Sequence, residues 1–268
     1  MTANHKSLTM IVGRKARAFS LVDLLVSISV MSVLIAILLP TLSSAQEASH
    51  RAKCGSNIRQ LGLGLQMFSF DRKDLMPQSI FRGDGSSRSS DSQNTIFLRL
   101  DPTADRESID TRDSTATHWD GLGILANLEY ADAPNVYYCP SHKGSHPYNR
   151  YADTWLQPSG VLAGNYQYRI PAPDTMMFKL PQPTTLIADG MRTQADYSHV
   201  KGNNMLKADL SVCWATDTDS AIFSQLAMTE TEASRSSRGV DNGWQHLDQS
   251  GGENSPSGIQ GSTLVTHR

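Results

Sequence analysis

The stretch FSLVDLLVSISVMSVLIAILL, Phe19–Leu39, decides the fold of this chain, because 16 of its 21 residues are apolar. As an α-helix it would be roughly 32 Å long, which matches the hydrocarbon core of a bilayer, about 30 Å thick. The segment therefore predicts one transmembrane helix.

A removable secretory signal peptide is the alternative interpretation of the same segment. A basic stretch precedes the apolar run, and the small residues Ser43, Ser44 and Ala45 follow it. The apolar run is longer than the roughly 7–15 residues of such a signal. We therefore favour a helix that stays in the membrane.

The composition of the whole chain narrows the class of protein. The 268 residues are 39% hydrophobic and 19% charged, which argues against a collagen-like, multi-span or wholly disordered protein. The formal charge is −2, but the first 18 residues carry four basic groups and no acidic one, leaving −6 for the rest. A basic leader favours a cytoplasmic N-terminus and a body outside the cytoplasm. No basic body is available to bind nucleic acid, so we expect none as a partner.

Asp23 lies inside the apolar stretch, where a carboxylate at mid-bilayer costs about 3 kcal/mol. Near the end of the span it could simply reach the headgroups. The sequence around it, Arg17-Ala18-Phe19-Ser20-Leu21-Val22-Asp23, resembles the type IV prepilin signal.

That resemblance implies a maturation route. A prepilin peptidase would cut between Ala18 and Phe19 and methylate the new amine of Phe19. Asp23 would then be the fifth mature residue, and pairing with a neighbouring subunit's terminal amine would offset the burial of both charges. Pro40 stands where type IV pilins often carry a proline that loosens the helix. Ala18 and Asp23 replace the usual Gly and Glu of the signal.

Residues 40–70 predict a continuation of the helix with one apolar face. Ile58, Leu61, Leu65 and Phe68 follow a 3-4-3 spacing, which indicates packing against a globular body. Three glycines weaken this helix by about 1 kcal/mol each and predict a break or bend near residues 55–64: they are Gly55, Gly62 and Gly64.

The body, residues 71–230, reads as short strands and loops. Together with the helix they predict an α+β fold, in which a long N-terminal helix packs on a small antiparallel sheet. The predicted strands are an edge strand Val136–Cys139, a strand within Asn165–Ile170, the run Thr184–Ala188, and a hairpin of Met205–Ala208 and Ser211–Ala215. Residues 231–268 lack periodicity and predict a disordered tail, with Trp244 as its only strongly apolar anchor. Residues 1–18 are the leader and 19–39 the transmembrane helix.

Several segments resemble a family of bacterial prepilin-like proteins that is marked by a C-terminal H-x9-D-G motif. The matching segments are Cys54–Gly62 for C-x-S-N-L-R-Q-L-G, Tyr138–Ser141 for Y-C-P-S, Pro183–Gly190 for T-x-L-x-A-D-G, and His199, Gly202, Asn203 and Asp209 for the final motif. Leu210 replaces the last glycine. A two-residue primed turn wants a positive φ there, so we expect the turn to have changed type or lengthened.

Three cysteines, Cys54, Cys139 and Cys213, leave at least one thiol unpaired. Outside the cytoplasm one disulfide could form. Spacing does not decide the pair, and Cys54 with Cys139 is the pairing we consider.

We predict no catalytic residue, no metal and no cofactor. A cluster of His199, Asp189 and Asp209 with His142 or His146 would suit a divalent metal, but the spacing does not support it. An aspartate before glycine or at a hairpin usually serves the turn, and we expect structural roles for these residues.

Three functions compete. The leading hypothesis is a non-enzymatic, prepilin-like (pseudopilin-like) protein. It would have one span in the bacterial inner membrane and its body in the periplasm, and it would assemble in a type IV pilus-like or type II secretion filament. Its partners would be prepilin peptidase and other pilin-like subunits, or copies of itself, through the N-terminal helix. The second hypothesis is a membrane-anchored binding module that uses the leader for sorting. The third is a tethered hydrolase using His199 and Asp209.

Overall fold

The computed structural model describes residues 20–79, 81, 92–100, 118–169 and 175–250. Helix α1, Leu21–Asp71, is continuous through Pro40. The chain divides into two compact units that meet in sequence between Gln46 and Glu47. The predicted α+β fold is confirmed.

Residues 20–46 form an apolar helix whose large side chains are exposed on all sides. The exposed fractions run from 53% at Val26 to 80% at Leu21. Among the described residues α1 is the one helix that is long and apolar enough to cross a membrane, with a mean hydropathy of 2.6 over 18 residues. Three of its serine hydroxyls donate to the backbone of the same helix: Ser27 Oγ to Asp23 O at 2.7 Å, Ser29 Oγ to Leu25 O at 2.8 Å and Ser32 Oγ to Ile28 O at 2.7 Å.

The second unit contains a four-stranded antiparallel meander and a short two-stranded ribbon. The meander runs in the order β3, β4, β5, β6, and the ribbon pairs β1 with β2. The strands are β1 (Phe97–Arg99), β2 (Leu162–Ala163), β3 (Tyr166–Tyr168), β4 (Thr185–Asp189), β5 (Gly202–Lys207) and β6 (Val212–Thr216). The other α-helices are α2 (Gly123–Asn127), α3 (Tyr148–Trp155), α4 (Glu230–Ala233) and α5 (Arg238–Gln249). The predicted run before Asp189 and the predicted hairpin correspond to β4, β5 and β6.

The second half of α1 packs into the larger of two apolar clusters. The predicted stripe of Ile58, Leu61, Leu65 and Phe68 is buried there with Leu206 of β5. The predicted break near residues 55–64 is wrong, since α1 is helical throughout. A Cβ on Gly62 would stand 2.8 Å from Leu206 Cδ1, so this glycine permits close approach of helix and sheet.

A smaller apolar cluster contains α5. Val240, Trp244 and Leu247 are buried there, together with Met205 of β5. Successive residues of a strand face opposite sides, so Met205 joins this cluster and Leu206 the larger one.

The predicted disordered tail is therefore wrong for residues 231–250. α5 is also fixed by polar bonds: Lys207 Nζ donates to Leu247 O at 2.6 Å, and Asp248 accepts from Arg169 Nη1 at 2.5 Å and from Thr185 N at 2.7 Å. Val240, Trp244 and Leu247 do follow a helical 4-3 spacing, but the surrounding Gly-, Ser- and charge-rich composition favoured a disordered tail. Residues 251–268 of the predicted tail lie outside the described part of the chain.

The predicted edge strand Val136–Cys139 is also wrong. Pro134–Tyr137 form a 3-10 helix, and Val136 and Tyr137 point into the core. Pro134 lies at its first turn, where the missing N–H costs nothing and the fixed φ favours a helical start. Aromatic and β-branched residues are typical of strands, but here they are apolar because they are buried in the core, so the composition suggested a strand that does not form.

Candidate functional site

His199 lies in the loop between β4 and β5, and its ring is buried. Nδ1 is 2.5 Å from Glu47 Oε1, while Nε2 is 3.4 Å from Cys139 Sγ and 3.8 Å from Asp189 Oδ2. Trp214 covers the ring in an edge-on arrangement, with 5.9 Å between ring centroids. Both ring nitrogens therefore face groups that can orient them.

Glu47 comes from α1, one hundred and fifty-two residues before His199 in sequence. Its second oxygen accepts a hydrogen bond from Ser141 Oγ at 2.8 Å. Partial burial alone would raise the pKa of Glu47, but the hydrogen bonds from His199 and Ser141 outweigh it and the pKa is lowered. The ionised carboxylate is thus the favoured partner of the imidazole.

Cys54 and Cys139 form a disulfide with a Cα–Cα distance of 5.4 Å. It joins α1 to the segment after the 3-10 helix Pro134–Tyr137, and both sulfurs lie in the larger apolar cluster. Cys213 on β6 is a free cysteine. Burial raises the pKa of its thiol, which makes it a poor nucleophile.

Asp189 ends β4 and is fully buried beside the disulfide. Its Oδ2 accepts from Asn204 N at 2.6 Å and from Asn204 Nδ2 at 3.0 Å. Its Oδ1 has no hydrogen-bond partner among the described residues. Burial raises the pKa of Asp189 to about 6, against the opposing influence of His199 and Asn204. A buried carboxylate oxygen without a donor calls for a physical explanation.

The H-x9-D motif residues divide between two places. His199 belongs to the buried cluster, and Asn203 Nδ2 lies 3.5 Å from Asp189 O. Gly202 starts β5 where a side chain would collide with the backbone of Ala215. Asp209 instead lies exposed in the β5–β6 turn, and no described contact joins it to His199. The proposed hydrolase pair of His199 and Asp209 is therefore not brought together.

The turn around Asp209 is longer than a two-residue primed turn, but Leu210 still adopts the positive φ that was the reason for expecting a changed turn. Leu210 N donates to Lys207 O at 2.9 Å, and Lys207 N donates to Ser211 O at 2.9 Å. This is a three-residue loop with Leu210 at φ 65°, in the left-handed position that glycine usually fills. Asp209 Oδ1 accepts from Ser211 N at 2.9 Å and from Ser211 Oγ at 2.6 Å, so the aspartate stabilises the turn.

His142 and His146 form a second polar cluster and do not join His199. His142 Nε2 is 3.7 Å from Asp196 Oδ1, and His146 Nδ1 is 2.7 Å from Tyr151 Oη. Burial lowers the pKa of His142 to about 4, so its imidazole is neutral at pH 7. Arg192 pairs with Glu230 of α4 beside them.

The buried cluster around His199 has the composition of a metal-binding site. Cys54, Cys139, Asp189 and His199 each place a ligand-type atom within 4.8 Å of the others. The sequence singled out each of these four residues in a separate segment, but no spacing rule brought them together. The sequence analysis did not single out Glu47, because a glutamate on the polar part of a helix gives no indication of a distant partner.

The segment proposed for processing and assembly is described only from Ser20 onward. Ala18 and Phe19, the predicted cleavage site, lie outside the described residues. Asp23 stands in the first turn of α1, where its Oδ2 accepts from Ser20 N at 3.3 Å. This is a capping arrangement, which a helix N-terminus favours for a carboxylate.

Comparison with known proteins places the body. Residues 43–251 match the family described as "Protein of unknown function (DUF1559)", a family of bacterial proteins that often carry prepilin-like N-terminal segments. No curated protein and no solved structure matches the chain. Together with the single apolar helix, the match fits a membrane-anchored extracellular module. Because the match covers most of its length, the chain belongs to the DUF1559 family.

Proposed function

We propose that the chain is a prepilin-like subunit that prepilin peptidase cuts between Ala18 and Phe19. The peptidase methylates the new amine of Phe19, and the freed helix packs with like helices in a pilus-like or type II secretion filament. The protein has no catalytic role in this proposal. It is held in the inner membrane by one span, with its N-terminus in the cytoplasm and its body in the periplasm.

The observation that carries the proposal is the uniformly exposed apolar surface of α1 before Glu47. A helix that packs on its own body keeps one polar face, but here large apolar side chains are exposed on every side. Such a surface is stable in lipid or in a bundle of like helices. The serines between Ser27 and Ser32 support this environment, because their hydroxyls already bond to the helix backbone.

Asp23 supports assembly in addition to anchoring. Capping needs only an acceptor at this position, so a full charge inside an apolar stretch is not explained by the bond to Ser20 N alone. In a filament the charge would pair with the methylated amine of a neighbouring Phe19, and removing either partner would leave the other buried and unpaired. The disulfide supports a body outside the cytoplasm, since such bonds persist in oxidising compartments.

The mature N-terminus tests the proposal directly. Mass spectrometry of the membrane-extracted protein should find N-methyl-phenylalanine at Phe19. An intact Met1 would contradict processing, and an N-terminus at Gln46 would indicate a removed signal peptide.

Two Asp23 variants separate capping from charge pairing. Asp23→Asn keeps an acceptor for Ser20 N but removes the charge, whereas Asp23→Glu keeps the charge. We expect Asn to impair recovery of the subunit in sheared filament fractions and Glu to restore it, with equal membrane levels of both. Equal assembly of the two variants would contradict the pairing.

A membrane-anchored binding module is the second candidate, and a cleft in the body favours it. The cleft has a volume of about 310 Å³ and is bordered by Phe70 and Phe178, which are 87% and 70% exposed. Exposed aromatic rings beside a cleft are typical of ligand contacts. Under this candidate, Phe70→Ser with Phe178→Ser would abolish function while Asp23→Asn would leave it intact, the reverse of the filament proposal.

A further inference from the structure

The two cysteines of the disulfide, Cys54 and Cys139, belong to a group of four residues that would suit a tetrahedral metal ion once the sulfurs are separate. The other two are Asp189 at the end of β4 and His199 in the loop before β5, and their side chains lie beside the disulfide. All four residues are buried, with exposed fractions between 0% and 5%. A closed, four-ligand site with sulfur and nitrogen donors is typical of structural zinc.

We propose that the reduced protein binds one Zn²⁺ through the Cys54 and Cys139 thiolates, the His199 imidazole and the Asp189 carboxylate. Disulfide and metal are then two alternative states of one site, and the redox state of the cysteines decides which is present.

The distances between ligand atoms fit this coordination. With Zn–S of about 2.3 Å and Zn–N or Zn–O of about 2.0–2.1 Å, tetrahedral ligand atoms stand roughly 3.3–3.8 Å apart. His199 Nε2 lies 3.4 Å from Cys139 Sγ and 3.8 Å from Asp189 Oδ2. The two sulfurs must move apart, which breaking their bond permits, and all four ligand-type atoms already lie within 4.8 Å of one another.

The surrounding groups are arranged as they are around zinc ligands. Metal-bound histidines usually donate their other ring N–H to a carboxylate, and His199 Nδ1 has Glu47 Oε1 at 2.5 Å. Asn204 holds Asp189 Oδ2 from two donors, while Asp189 Oδ1 has no hydrogen-bond partner among the described residues. A cation beside that carboxylate would explain both the burial and the missing donor.

The redox step balances with a phosphine as reductant. The phosphine and one water convert the disulfide into two thiols, and the phosphine becomes its oxide by taking the water oxygen. The two thiols then release two protons as Zn²⁺ binds both sulfurs. In a cell a dithiol protein would supply the same two electrons and become a disulfide itself.

Metal titration of the full chain in detergent micelles tests the proposal. After phosphine reduction, thiol titration should rise from one thiol to three, because Cys213 is already free. The reduced chain should then bind one Zn²⁺ by elemental analysis, and Co²⁺ should give the visible absorption of a tetrahedral thiolate site. The oxidised chain should bind neither.

Matched variants assign the ligands. Cys213→Ser should bind Zn²⁺ as the wild type does, whereas His199→Gln and Asp189→Asn should each lose the tetrahedral Co²⁺ spectrum. Glu47→Ala should weaken Zn²⁺ binding by about 10–100-fold, because it orients His199 without touching the ion. Circular dichroism shows which variants remain folded, and Glu47→Ala tests the site even where a ligand variant unfolds.

The proposal fails if the reduced wild type binds no more Zn²⁺ than a Cys54→Ser, Cys139→Ser double variant. It also fails if the oxidised chain binds as much as the reduced one, or if a reduced chain that has lost its fold does not recover it on addition of Zn²⁺. These outcomes leave the filament proposal untouched, because they do not involve Phe19 or Asp23.

Discussion

The two halves of α1 are continuous in sequence but differ in the burial of their apolar side chains and in the hydrogen-bond partners of their polar ones. Before Glu47, apolar side chains are exposed and serine hydroxyls bond four residues back in the same helix. After it, a buried stripe packs into the body, and Asn57 and Glu47 bond residues 81 to 152 positions away. The side chains of one helix are therefore exposed in its first half and packed in the body in its second half. We expect only the second half to contribute to the stability of the body.

The largest effect is expected when a leucine side chain is shortened in each half of α1. Leu61 is fully buried and Leu34 is 56% exposed. We expect Leu61→Ala to lower the free energy of unfolding of the body by about 3 kcal/mol, through lost burial and a cavity. Leu34→Ala should leave it unchanged.

Urea unfolding in micelles, followed by tryptophan fluorescence, measures this effect. All four tryptophans lie after Glu47, so the signal reports the body alone. Equal losses for the two variants would mean that the first half of α1 also supports the body.

A smaller effect comes from polar side chains. Asn57 Nδ2 donates to Tyr138 O at 3.0 Å and to Tyr166 Oη at 3.2 Å in the buried core. Asn57→Ala should cost the body about 2 kcal/mol, because both acceptors lose a buried donor. Ser29→Ala is the control, since its hydroxyl serves only its own helix. The same unfolding assay applies, and a loss below the error of the control would contradict the role of Asn57.

Acid should unfold the body and spare the apolar half of α1. His142 has a folded-state pKa of about 4, against about 6.5 when unfolded, so the unfolded chain takes up its proton first. Stability is full above about pH 6.5 and falls as the pH drops towards 4, by about 2 kcal/mol at pH 5.

His142→Gln isolates this contribution. Its unfolding free energy should depend less on pH between 6.5 and 5 than that of the wild type. His146 lies beside the same ring and burial lowers its pKa too, so an unchanged slope would assign the pH dependence to His146.

The smallest expected effect concerns strain, which the described part of α1 lacks. All non-glycine residues with positive φ that the structure describes lie after Asp71, and Leu210 is one of them. Leu210→Gly should stabilise the body by about 0.5 kcal/mol, because relief of the left-handed conformation slightly exceeds the lost apolar contact. Leu42→Gly, inside the helix, should not stabilise anything. A lower urea midpoint for Leu210→Gly would show that its packing matters more than its φ.

Several elements that stand in clearly apolar segments were predicted from the sequence, whereas α5, in a polar segment, was not. The stripe from Ile58 to Phe68, strand β4 and the β5–β6 hairpin follow from spacing alone. The glycines of α1 predicted a break because spacing does not reveal what they pack against: Gly62 approaches Leu206 of the sheet, and a Cβ on Gly64 would meet the backbone of Tyr130. α5 was missed because its apolar residues Val240, Trp244 and Leu247 stand in a segment rich in Gly, Ser and charged residues. Its polar bonds to the sheet, from Lys207 and through Asp248, leave no signal in the sequence.

The individual residues of the candidate site could be picked out from the sequence, but their assembly into one site could not. His199, Asp189, Cys54 and Cys139 each stand in a recognisable segment, but their meeting depends on the register of the meander and on the position of α1. The supporting Glu47 has no local signal at all. Separations of 60 to 152 residues are resolved only by the tertiary fold.

The disulfide also determines how the chain would carry a pulling force. Tension applied between the membrane end of α1 and any point after Cys139 passes from Cys54 directly to Cys139 through the sulfur bond. The residues between the two cysteines would then stay slack, which shortens the extensible chain by roughly 290 Å, at about 3.4 Å per residue. A subunit anchored at one end and pulled at the other would thus lengthen in a short step when oxidised and in a long step when reduced.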